Sequence, residues 1–233
     1  MDETAHTLEG IGIFHALTAA ERRRISLQCQ WLRYNAGQLI LGQFDITRDI
    51  FFVVSGRARA TSYSLSGKEV SYRDIEAGDM FGEFSAIDDE PRSADVVALS
   101  DCLVARLSNS AFWQILRDYP EISAAMLKRL TRQIRAMTER VFEFSALAVN
   151  NRIHAELLRL ALSHKTAPNT ALIQPAPTHA ELASRLGTHR EAVTRELNAL
   201  ARTGLLQRRR GALHINDIAE LQRLVETVVG QRS

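Results

Sequence analysis

Apolar positions in the first half of the chain come in short runs, and most runs end at a glycine or a small polar residue. Between Trp31 and Leu107 the breaks fall at Gly37, Gly42, Gly56, Gly67, Gly78 and Gly82. The runs between them, such as Asp49–Ser55, Arg57–Tyr63 and Ala94–Leu99, are too short for helices and are bounded by turn formers at intervals of roughly ten residues. That pattern predicts strands closed into a β-barrel or sandwich. Residues 11–30 read instead as a helical segment flanking it.

The period changes at Pro120. Leu127, Leu130, Ile134, Met137, Val141, Phe144 and Ala148 follow one another at alternating spacings of three and four, which is a heptad seam. It predicts a helix of about 27 residues, about 40 Å long. A helix that only covered its own barrel would be shorter, so Leu127, Leu130, Ile134, Met137, Val141 and Phe144 are read as a self-association surface, against the alternative of an amphipathic helix lying on its own domain. Asn150 and Asn151 interrupt the seam, and the hinge is placed there. Arg152–Ser163 then starts a second apolar helix through Ile153, Leu157, Leu158, Leu160 and Ala161. Residues 164–177 are rich in turn formers, with room for a short strand, and beyond them the chain is helical again. The expected division is therefore 1–119, 120–149 and 150–233.

Composition fits this layout. The chain has 233 residues, 45% apolar and 24% charged, with 12 Gly and 5 Pro, which suits two packed domains and excludes disordered or collagen-like classes. No window approaches 18 uncharged apolar residues, and Asp2 and Glu3 stand where a secretory leader would be basic, so a cytoplasmic protein without membrane association is expected. Cys29 and Cys102 are too few for a disulfide framework or a four-thiolate metal site and read as buried thiols.

The formal charge of +2 hides an asymmetry. Residues 1–119 carry 12 Lys and Arg against 17 Asp and Glu, residues 120–149 carry 5 against 3, and residues 150–233 carry 12 against 7. A basic C-terminal portion behind an acidic N-terminal one marks the former as the part that meets a polyanion, unless it is simply a solvated surface.

Two stretches carry chemistry. The first is Phe81-Gly-Glu-Phe-Ser-Ala-Ile-Asp-Asp-Glu-Pro-Arg-Ser-Ala-Asp95. Gly82 permits close backbone approach, a helical turn over Phe84–Ile87 offers amide groups to an anion, and Arg92 can hold phosphate oxygens bidentately. Ser93 adds a hydroxyl and an amide. Glu83 would repel a phosphate, so it suits a ribose hydroxyl. Singly, these residues also have structural readings: Gly82 in a turn, Glu83 and Arg92 as an ion pair, Ser93 as a cap.

The second stretch, residues 178–203, reads as helix, turn and helix. Thr178 and Glu181 form a capping box, Leu182, Ala183 and Leu186 an apolar face, Gly187 a stop, and Val193, Leu197 and Leu200 the continued core. Arg190, Glu191, Thr194 and Arg195 are left on the outer face, where arginine can read guanine and glutamate can accept from cytosine. Leu205–Ile215 reads as a two-stranded wing around Arg208, Arg209, Arg210 and Gly211, basic enough for phosphate contacts.

The Gly-Glu, acidic-loop, Arg-Ser-Ala string closely resembles the phosphate-binding cassette of cyclic-nucleotide-binding domains. With the seam and the helix-turn-helix behind it, nearly the whole chain resembles the cAMP receptor protein (CRP/FNR) family of bacterial transcription regulators. The resemblance implies an α+β fold: a double-stranded β-helix (jelly-roll) nucleotide-binding domain, a long dimerisation helix and a C-terminal winged helix-turn-helix. It implies that Gly82, Glu83, Phe84, Arg92, Ser93 and Ala94 hold the nucleotide, with Gly82 and Glu83 at the ribose and Arg92 at the cyclic phosphate. Arg190, Glu191 and Arg195 match the family's reading pattern, which implies TGTGA-like half-sites in double-stranded DNA, read as an inverted repeat by a homodimer. Thr178, His189, Thr194 and the wing arginines join that surface. RNA polymerase is a further partner the resemblance admits, at residues 164–171.

One departure bears on the ligand. Where the cAMP receptor protein has a Thr-Ser pair on its dimer helix, this chain has Met137-Thr138, so half of the adenine contact is kept. Thr138 can face adenine or guanine. cAMP is favoured, with cGMP or dual recognition as the alternative. Two cysteines do not make an iron–sulfur branch, and no histidine lies between His15 and His154 to ligate a haem; no metal is expected. No catalytic motif is recognised, so an enzyme is not expected. A nucleotide sensor acting through protein contacts alone is the remaining different class.

Overall fold

The computed structural model describes residues 6–64 and 69–229, and it divides into two compact units, Met1–Gln133 and Ile134–Ser233. Gly67, Asp2 and Glu3 lie outside the described residues.

In the first unit a 3-10 turn at Gly12–Phe14 and helix α1 (Ala19–Ser26) precede strands β1 (Gln30–Tyr34), β2 (Leu39–Leu41), β3 (Ile50–Ser55), β4 (Arg57–Tyr63), β5 (Glu69–Glu76) and β6 (Met80–Phe81). Helix α2 (Glu83–Asp88), strands β7 (Asp95–Ala98) and β8 (Cys102–Leu107), and helix α3 (Asn109–Asp118) follow. The strands form two antiparallel sheets, ordered β1-β8-β3-β6 and β2-β7-β4-β5, in the expected jelly-roll arrangement. The helical reading of residues 11–30 was too long: Thr18 and Glu21 start α1 with a capping box, and Gln30 already pairs with Arg106 of β8.

The unbroken apolar run of β3 follows from burial on both faces. Phe51 and Val53 point into the core between the sheets, with Ile75, Phe81 and Val104. Ile50 and Phe52 point the other way, into a second core closed by Leu8, Phe14, Phe112, Ile115, Ile122 and Met126. Cys102 lies in the inter-sheet core, whereas Cys29 is half-buried and its thiol is pushed up to about 12 by burial.

Helix α4 runs from Pro120 to Ala146, the 27 residues expected. It carries two stripes. Ile122, Met126, Arg129 and Gln133, spaced four, three and four, face the barrel: the first two enter its core, Arg129 donates to the Asp79 carboxylate at 2.9 Å, and Gln133 reaches Glu83. The heptad seam is mostly uncovered in the single chain, with Leu127 66%, Ile134 65% and Val141 65% exposed. Leu130 is half-buried against the barrel core. Ala148 falls beyond the helix.

The second unit holds α5 (Val149–Ser163), β9 (Lys165–Ala167), β10 (Thr170–Ile173), α6 (His179–Arg185), α7 (Arg190–Arg202), β11 (Leu206–Arg209), β12 (Ala212–Ile215) and α8 (Ile218–Val229). The interruption expected at Asn150-Asn151 lies earlier, at Leu147-Ala148: Ala148 is the extended cap of α5, Leu147 is buried, and both asparagines are already helical. The turn-rich stretch after α5 is a hairpin completing a four-stranded sheet, β11-β12-β10-β9. Ile153, Leu157, Leu182, Val193, Leu197, Leu213 and Leu221 make one core beneath it.

A buried charge knot ties the end of α4 to the helix-turn-helix. Glu156 is 4% exposed and receives Arg159, Arg185 at 3.2 Å and Arg140 at 3.6 Å, while Arg159 also donates to Glu143. Burial alone would lower the Arg159 pKa, but Glu156, Glu143 and Glu139 outweigh it and hold it above its ordinary value. Gly187, at φ 59°, lies so close under Phe144 that a Cβ there would stand 3.1 Å from the ring, and Arg152 covers the same ring at 4.9 Å.

Candidate functional site

The cassette is built where β6 ends. Gly82 adopts φ 81°, which turns the chain into α2, and a Cβ on it would stand 2.8 Å from Arg92 Nη1 and 3.1 Å from the Asp49 carbonyl. No side chain other than glycine fits there without moving the arginine. Arg92 is 2% exposed. Its Nε donates to Thr47 Oγ1 at 3.1 Å, Nη1 to the Gly82 carbonyl at 2.8 Å and Nη2 to the Asp49 carbonyl at 2.7 Å. The Asp49 carboxylate is taken by Arg106 instead. Arg92 therefore sits among neutral oxygens, with no carboxylate at ion-pair distance among the described residues, and burial pushes its pKa down.

Glu83 and Arg92 are not an ion pair, contrary to the structural alternative. Glu83, 4% exposed, lies 3.8 Å from Arg73 and accepts from Gln133 Nε2 at 3.1 Å. Gln133 Oε1 is buried without a partner. Beside these groups Phe84 and Ser93 are exposed and Ala94 is half-buried; the Ser93 carbonyl accepts from Gln43 Nε2 at 3.2 Å. The arrangement holds one buried cation, one buried carboxylate and one orphaned amide oxygen. Those are the groups needed by an anion that also bears hydroxyls.

In the second unit the capping box of Thr178 and Glu181 starts α6, as expected, and α7 begins at Arg190 after the extended cap residue His189. Arg190, Glu191 and Arg195 are exposed on α7, and Val193, Leu197 and Leu200 are buried beneath them. Thr194 is half-buried, donating to the Arg190 carbonyl at 2.9 Å. Arg208 and Arg209 lie on β11 and Arg210 in the turn to β12, all exposed.

The model of the cyclic nucleotide-binding domain matches residues 31–119, and that of the Crp-like helix-turn-helix domain matches residues 151–224. The chain belongs to the CRP/FNR family. It is 29% identical to the cyclic AMP receptor protein of Thermus thermophilus over 93% of this chain and 98% of that relative. A CRP-like cAMP-activated global transcriptional regulator of Mycobacterium tuberculosis is 25% identical over 96% of this chain and 99% of its own. The fold is shared with a CooA mutant from Carboxydothermus hydrogenoformans, with a TM-score of 0.78 at 20% identity, covering 91% of this chain and 94% of that one.

As a CRP/FNR family member the chain is a cyclic-nucleotide-responsive transcription regulator with a DNA-binding helix-turn-helix. No helix among the described residues is long and apolar enough to cross a membrane. Within this CRP/FNR chain, Met137 and Thr138 are exposed on α4, and the Thr138 hydroxyl donates to the Ile134 carbonyl at 3.0 Å. The motif reading missed Thr47, Asp49, Arg73 and Gln133 around the cassette. For Gln133 a signal existed, because it continues the barrel-facing stripe of Ile122, Met126 and Arg129.

Proposed function

We propose that this chain is a cAMP-dependent, homodimeric regulator that binds an inverted repeat of TGTGA-like half-sites. The observation that carries it is Arg92: a guanidinium this deeply buried, given only carbonyl and hydroxyl partners, gains most from an anion that meets its charge. Gln133 Oε1 lacks a donor, which a ribose hydroxyl beside Glu83 supplies. The residues present thus fit a cyclic nucleotide, with Arg92, Ser93 and Ala94 on the phosphate side, Glu83 and Gln133 at the ribose, and Phe84 at the rim. Thr138 of the second protomer faces the purine, and Met137 lines the seam beside it.

Dimerisation uses Leu127, Leu130, Ile134, Met137, Val141 and Phe144, and the exposure of Leu127, Ile134 and Val141 in the single chain supports it. Residues 1–119 sense, 120–149 join the protomers and 150–233 bind DNA, with the two α7 helices set about one turn, 34 Å, apart. Arg190, Glu191 and Arg195 read bases, Thr178, His189 and Thr194 flank them, and Arg208, Arg209 and Arg210 hold the backbone.

Calorimetric titration with cAMP and cGMP in parallel tests the ligand. Tighter binding of cAMP is expected; equal binding makes the chain a dual sensor, and no binding of either removes the pocket assignment. Salt-dependent binding to a TGTGA-containing duplex separates this reading from a sensor that acts through protein contacts alone.

A further inference from the structure

His179, the first residue of α6, lies within the helix-turn-helix stretch but is given no role in the reading above. It is half-buried, and its Nδ1 lies 2.7 Å from Thr194 Oγ1 on α7. The hydrogens can be assigned. Thr194 Oγ1 spends its one proton on the Arg190 carbonyl at 2.9 Å, so towards the ring it accepts, and Nδ1 carries a hydrogen. Nδ1–H is then present in both charge states, and Nε2 is the nitrogen that titrates.

Among the described residues, the charges that act on the ring are both positive: Arg208 from β11 and Arg190 from α7. On its own helix, Glu181 is turned back to accept from the Thr178 amide at 2.8 Å. Burial, then Arg208 and Arg190, push the His179 pKa below its ordinary value, so the free protein holds the ring neutral near pH 7. Nε2 is then the unprotonated nitrogen of a ring under the influence of two arginines, both of which belong to the surface assigned to DNA.

We propose that His179 is a proton-dependent contact to a DNA phosphate. The polyanion that Arg190 and Arg208 attract supplies the negative charge the ring lacks. Nε2 takes one proton from solution, and the new N–H donates to a phosphate oxygen. This rests on the DNA-binding reading above. Because protons are taken up on binding, affinity rises as pH falls, by up to about tenfold per pH unit for each ring that titrates.

The test uses the full chain with saturating cAMP and a labelled duplex carrying an inverted TGTGA repeat, followed by fluorescence anisotropy between pH 6 and 8 at fixed ionic strength. The wild type is expected to lose at least about threefold in affinity per pH unit. His179→Asn keeps a donor for Thr194 but has nothing at Nε2; its slope is expected to be shallower, with affinity converging on the wild type at pH 8. His179→Arg, a permanent cation, is expected to bind tightly with an equally shallow slope. Comparing variants at each pH removes the contribution of the other histidines. A wild-type slope retained in His179→Asn, or a loss by the same factor at every pH, overturns the proposal alone. If the wild type binds no duplex at any pH, the DNA reading falls and this proposal with it.

Discussion

Arg92 and Gly82 depend on each other through a gap too small for one methyl group. Alanine at 82 brings a Cβ within 2.8 Å of Arg92 Nη1 and forces an L-residue to φ 81°. The backbone cost alone is about 1–2 kcal/mol. Gly82→Ala is thus expected to lower the thermal midpoint and weaken nucleotide binding together, read by calorimetry and titration. Arg92→Lys separates the two effects of the arginine. Lysine keeps the charge but not the fork that joins Thr47, Gly82 and Asp49, and leaving those buried acceptors unmade costs about 2 kcal/mol or more. A variant that kept wild-type stability and nucleotide-stimulated DNA binding would remove Arg92 from its role. The cassette residues were legible because they are contiguous. Thr47 and Asp49 were not, since they lie more than forty positions from Arg92 and only the closing of the barrel brings them to it.

Among the elements, α4 shows how one helix serves two surfaces, and its last turns belong to the second unit through Glu156. Glu156→Ala leaves Arg140, Arg159 and Arg185 around a vacated acid. Removing one member of so buried a network costs about 3 kcal/mol, and chemical denaturation is expected to show the loss in the second unit. Helix α8 gives a pH dependence. Asp217 accepts from the Glu220 amide and from Asn169, and these bonds, led by the amide, hold its pKa below the ordinary value. A depressed carboxylate stabilises above its unfolded pKa and loses that contribution as pH falls through the folded one. The Tm advantage of wild type over Asp217→Ala is therefore full at pH 6 and shrinks below about pH 4; a constant difference would contradict it. Helices α3 and α8 escaped the sequence reading because neither continues a seam or carries a motif. Their apolar residues acquire meaning only against the barrel's outer face and α5.

For the whole molecule, the uncovered stripe on α4 is the surface on which the proposed dimer rests. Ile134→Glu places a charge in the seam without touching either core, so sedimentation is expected to show monomers while the two units unfold as in the wild type. A persisting dimer would move the interface elsewhere. Local spacing alone determined that there are strands, then a long heptad helix, then a helix-turn-helix, because periodicity and capping act over a few residues. It also determined the acidic and basic halves, which require only counting. Tertiary structure decided which charges neutralise each other. It gave Glu83 to Arg73 and Gln133 rather than to Arg92, placed the break before α5 at Leu147-Ala148, and set His179 against Thr194. Hydrogen bonds form between neighbours in space, and in a barrel or a helix pair those neighbours come from distant parts of the chain.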